Sequence, residues 1–145
     1  MDSEYDGGER VLHLAGSPDQ VARARRLIST ALGRDHPLHD DCVLLTSEIA
    51  TNAVIHSRSG DGGTFSVTVS GSAGVVRVSV RDEGSVEAPC VCHTSVDATG
   101  GRGLPLLEAL AHRWGFEREA GTNRVWFELV LEPALLSRGR LATVR

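Results

Sequence analysis

Glu48 and Asn52 stand four residues apart in the run Leu44 to His56, LLTSEIATNAVIH. On a helix that spacing puts both side chains on one face, one turn from each other. A carboxylate there can orient or deprotonate an attacking hydroxyl. A carboxamide oxygen one turn away is a good ligand for a hard cation such as Mg²⁺. The plainer alternative is a polar stripe on an amphipathic helix whose other faces carry Val43, Leu44, Ile49, Ala50, Ala53 and Val54.

Two further places carry chemistry. In Val75 to Asp82, Val76, Val78 and Val80 alternate with Arg77, Ser79 and Arg81, and Asp82 has the parity of the valines. It therefore points toward the core, where a carboxylate is costly unless something pairs with it, unless the strand has ended by Arg81. Then Gly100-Gly101-Arg102-Gly103 opens onto the helical pattern LPLLEALAHRWG. A glycine-rich turn at a helix N-terminus presents backbone N–H groups to an anion, though it can equally be a flexible entry loop.

Composition limits what these groups could do. All 15 basic residues are arginine, so a P-loop, a eukaryotic-type kinase strand lysine and lysine Schiff-base chemistry are excluded. Net charge is −4, which argues against nucleic acid as the main partner. No apolar run reaches the roughly 20 residues that span a bilayer. The acidic N-terminus MDSEYDGGER is unlike a secretory signal, and three cysteines fit a reduced, cytoplasmic protein. Cys90, Cys92 and His93 cluster, but zinc sites usually take four donors; Cys42 reads as core. Arg23, Arg25 and Arg26 form a basic cluster, either a solvated face or a docking site for an acidic partner.

The elements that must position these residues follow from pattern. A chain of 145 residues suits one domain. We expect a disordered tip over 1–8, a single folded domain over 9–132 and a basic tail over 133–145. A short strand covers Arg10 to Ala15. Ser17 caps a helix that has Pro18 in its first turn, a capping box closed by Gln20, and an end near Leu32. A second helix spans about Leu38 to Ser57. Strands follow at Thr64 to Ser70 and Val75 to Asp82. The irregular stretch 83–101 has the length and composition of a lid or binding loop. A third helix carries Leu104, Leu107, Leu110, Ala111 and Trp114 inward, with Gly115 as its C-cap, and strands at Phe116 to Ala120 and Asn123 to Leu131 complete the sheet. The implied fold is a two-layer α/β sandwich: a mixed, mostly antiparallel sheet with helices on one face.

In this order the motifs resemble those of the GHKL ATP-binding (Bergerat) fold. SEIATNAVIHS is similar to the family's N-box, VRDEG to its first glycine box, GGRGLPLLEALAHRWG to its second and GTNRVWFEL to its closing segment. The likeness runs from about Val11 to Leu131. It is greatest to the small, single-domain bacterial anti-sigma factors and serine-protein kinases, the RsbW-like branch.

That resemblance implies roles. Glu48 would be the general base, and Asn52 would bind the Mg²⁺ that bridges the ATP phosphates. Asp82 would accept the adenine amino group, and Gly84 would let the backbone approach the base. Gly100, Gly101, Arg102, Gly103 and Leu104 would close over the phosphates, and Thr122 would complete the adenine end. The partner would be a STAS-type anti-anti-sigma protein phosphorylated on serine or threonine, a sequestered sigma factor, or both. A non-catalytic nucleotide-dependent binding module is the alternative. The family also implies a homodimer. The chain departs from the family where D-x-G-x-G has Val86 for its second glycine. With no phosphoacceptor helix in front, the domain is expected to act on a separate protein.

Overall fold

Alternation in five segments and 3.6-residue periodicity in three generate one open sheet with helices on one side. The computed structural model describes residues 8–56, 63–72, 74–82 and 103–131. In chain order these form β1 (Glu9–Ala15), a 3-10 turn (Pro18–Gln20), α1 (Val21–Leu32), α2 (His39–His56), β2 (Thr64–Ser72), β3 (Val75–Asp82), α3 (Gly103–Leu110), β4 (Arg113–Glu119) and β5 (Thr122–Val130). The sheet order is β1-β2-β3-β5-β4. All four ladders are antiparallel, so the parallel component of the expected mixed sheet is not among the described residues.

Strand alternation sorts the sheet into two faces. Leu14, Phe65, Val67, Val69, Val76, Val78, Val80, Phe127 and Leu129 are buried on the helix side. Ala24, Ile28 and Leu32 of α1, Cys42, Leu45, Ile49 and Ala50 of α2, and Leu107 of α3 close over them. Each large apolar side chain buried this way contributes about 1.5–3 kcal/mol.

The helix ends differ from expectation in two places. Ser17 donates its hydroxyl to Asp19 Oδ1 at 2.6 Å and makes no side-chain cap, so the capping box with Gln20 does not form. Pro18 opens a single 3-10 turn, and α1 proper begins at Val21. The third helix is also shorter than its pattern suggested. It stops at Leu110, and Trp114 and Gly115 belong to β4.

Gly115 is therefore no helix cap, and its reason for being glycine is steric. It lies opposite Trp126 across the β4–β5 ladder, and a Cβ built on it would meet Trp126 Nε1 at 2.7 Å. The indole lies over that bare backbone on the open face. The Arg77 guanidinium stacks 4.1 Å from its ring centroid. Arg77 and Arg113 both donate to Glu128, at 2.8 and 3.0 Å. Burial pushes the Glu128 carboxyl up, but those two guanidinium groups outweigh it and hold the pKa below the usual carboxylate range. Gly115→Val should displace the indole and cost about 1–3 kcal/mol, the usual cost of overpacking. Denaturant unfolding of the variant checks this; an unchanged midpoint would remove the steric account.

Candidate nucleotide-binding site

Glu48 and Asn52 are both half-buried on α2, between its buried stripe and its exposed crest. The helix forms because its apolar positions Cys42, Leu45, Ile49, Ala50, Ala53 and Val54 recur at helical spacing, and Asp40 and Asp41 sit at its positive end. That stripe packs α2 against β2, β3 and α3 as well as α1.

Asp82 is the last residue of β3 and remains paired on both sides, with Phe65 of β2 and Asn123 of β5. Directly opposed residues share a face, so Asp82 projects to the helix side in line with Val80. The alternative in which the strand ends at Arg81 is excluded. The carboxylate thus stands at the end of an apolar row, on the side of the sheet that α2 covers.

Thr122 falls elsewhere. It begins β5 and lies opposite Glu119 on the open face, where its hydroxyl donates to the Glu119 carbonyl at 2.9 Å. The turn it closes is Ala120-Gly121, both at positive φ (50° and 83°), the signature of a two-residue hairpin. One residue of strand reverses the side-chain direction, so the neighbour on Asp82's face is Asn123 instead. Asn123 is a buried polar side chain, 8% exposed, with Arg118 Nη1 at 3.5 Å from its Oδ1. Sequence reasoning missed Asn123, although the parity of Val125, Phe127 and Leu129 runs through it. Gly103 and Leu104 open α3, whose Leu107 is fully buried and which packs on α2. Gly84, Gly100, Gly101 and Arg102 lie outside the described residues, as do the stretch 83–101 read as a lid and the Cys90, Cys92, His93 cluster.

Other reactive groups are accounted for structurally. His39, buried, links the two long helices: its Nε2 is 2.8 Å from Ser29 Oγ and its Nδ1 2.8 Å from Asp40 Oδ1. A carboxylate only accepts, so Nδ1 donates to Asp40, and in the neutral ring Nε2 accepts from the Ser29 hydroxyl. Cys42 is fully buried, and burial pushes its thiol pKa up to about 12. It is no nucleophile at neutral pH. In a Cys90→Ser, Cys92→Ser background, Cys42 should stay unreactive to Ellman's reagent at pH 8 until the protein unfolds; rapid native-state labelling would contradict this burial. Among the described residues no group of three His, Cys, Asp or Glu could hold a metal ion. None of the described helices is long and apolar enough to cross a membrane.

An open antiparallel sheet with helices on one face is the architecture of an ATP-binding domain of the GHKL type. Residues 14–129 match the family model described as histidine kinase-like ATPase domain, and the chain belongs to that family. A similar solved structure is the crystal structure of the RsbU and RsbW domains of Rv1364c from Mycobacterium tuberculosis. It is 26% identical with a TM-score of 0.63, and the match covers 86% of this chain and 34% of that one. The chain thus spans about a third of the length of that relative. No curated protein matches it.

Proposed function

We propose that this chain is an ATP-dependent regulator of the anti-sigma type, transferring the γ-phosphate of ATP to a serine or threonine of a STAS-type partner and holding a sigma factor in the same nucleotide-bound state. The observation that carries this reading is the pairing of Glu48 with Asn52, one turn apart on α2, on the side of the sheet to which Asp82 projects. Phosphoryl transfer needs positioning and charge stabilisation more than covalent help from the protein. In this reading Asp82 and Asn123 read the adenine edge. The start of α3 at Gly103 offers N–H groups to the phosphates. Glu48 accepts the proton of the incoming hydroxyl.

Asn52 would hold Mg²⁺ through its carboxamide oxygen. The fit is chemical: a hard oxygen donor on a half-exposed position leaves room for the phosphates and waters that fill the rest of a magnesium shell. When bound, the ion would neutralise phosphate charge.

The test is transfer of label from γ-labelled ATP to purified STAS domains. A labelled serine or threonine is the expected result. If the label stays on ATP while a sigma factor is retained in an ATP-dependent complex, the non-catalytic sequestering function replaces the kinase.

A further inference from the structure

Two large apolar side chains stand exposed on the otherwise polar crest of α2. Leu44 is 41% exposed and Ile55 is 62% exposed. Eleven residues on a helix bring the chain back to nearly the same angle, about 16 Å further along. Thr51 lies between them on that crest, and Glu48, one turn from Leu44, is on its shoulder.

The flank of the crest is basic. Arg25 Nη1 donates to Ser47 Oγ at 3.1 Å, and Ser29 meets His39. The two helices therefore run antiparallel, with the arginine end of α1 beside the middle of α2. No acidic residue occurs in α1. Arg25 spends one guanidinium N–H on a neutral hydroxyl, and Arg26, exposed, makes no ion pair among the described residues. Asp40 and Asp41, in the first turn of α2 and about two turns before Ser47, carry the opposite sign.

We propose that this crest, Leu44, Thr51 and Ile55 flanked by Arg25 and Arg26, docks the protein that offers its hydroxyl to Glu48, and that the docking face of this partner is an apolar ridge with acidic side chains on one edge. The inference rests on the phosphoryl-transfer reading for its choice of partner. Two exposed apolar side chains repay desolvation only against an apolar counterpart, and they frame the carboxylate that must meet the hydroxyl. Uncompensated arginines beside the middle of α2 attract acidic groups there, while Asp40 and Asp41 repel them at its start. This fixes which way round the partner sits.

The experiment uses the full chain loaded with MgATP and a panel of purified STAS domains spanning acidic to basic docking faces. Dissociation constants, KM and kcat for transfer, and ATP affinity are measured for the native protein, for Leu44→Ser with Ile55→Ser, and for Arg26→Glu. The apolar double variant should weaken binding and raise KM by about tenfold or more, as loss of interface anchors does, with kcat and ATP affinity little changed. Arg26→Glu should weaken binding of acidic domains only and flatten their salt dependence. If the double variant binds partners as tightly as the native chain, the docking surface is wrong while the kinase reading stands. If the native chain binds a domain without transferring phosphate, and the double variant loses that binding, the docking surface stands and the kinase reading falls. If no domain binds the native chain, the proposed partner falls. If sedimentation shows that the double variant instead changes the number of copies associated, the crest is a self-interface and the proposal is overturned.

Discussion

Glu48→Ala should leave ATP binding nearly unchanged and cut phosphoryl transfer by about 10²–10⁴-fold, the loss typical of a general base. The fold should survive, because alanine is the best helix former and Glu48 is only half-buried. Asn52→Ala should fail differently. If Asn52 holds Mg²⁺ as proposed, removing the carboxamide takes away that anchor, so Mg²⁺-dependent nucleotide binding should weaken together with transfer. Partner retention that requires only bound ATP should then persist in Glu48→Ala and decline in Asn52→Ala. Calorimetry with ATP in the presence and absence of Mg²⁺, alongside single-turnover transfer, separates the two. Equal transfer rates for Glu48→Ala and the native chain would remove the role given to that carboxylate.

Asp82→Asn should weaken ATP binding roughly ten- to a hundredfold, since a hydrogen bond to a charged group in a shielded site is worth about 1.5–3 kcal/mol. The strand should be unaffected, because Asp82 holds its place through backbone pairing with Phe65 and Asn123 on either side. GTP should bind poorly to the native protein, because guanine presents a carbonyl where adenine has an amino group and a carboxylate cannot donate to it. The same calorimetry decides: equal affinities for ATP and GTP would take the base-reading role away from Asp82. Asn123→Ala should also lower ATP affinity, with Thr122→Ala, on the open face, as the matched control.

Local pattern alone carried much of this protein. Helical spacing joined Glu48 to Asn52. Period-2 alternation gave Asp82 the parity of the core valines, and ordered motifs indicated the fold; pairing with Phe65 and Asn123 then showed that the strand reaches Asp82. These succeed because side-chain direction within one element depends only on the backbone repeat. Contacts between elements decided the rest. Gly115 looks like a helix cap in sequence, yet it is a strand residue kept bare by the Trp126 indole, a partner eleven positions away. Ser17 looks like the start of a capping box, but a neighbouring carboxylate competes for its hydroxyl. Sequence parity through Val125, Phe127 and Leu129 already puts Asn123 and Thr122 on opposite faces. Only the register of β5 against β3 shows that Asn123 stands beside Asp82. Register and burial are set by which strands meet and how they align, and a one-residue difference there reverses every side chain. For that reason side-chain direction within each element was legible in the sequence, while which residues stand side by side required the tertiary structure.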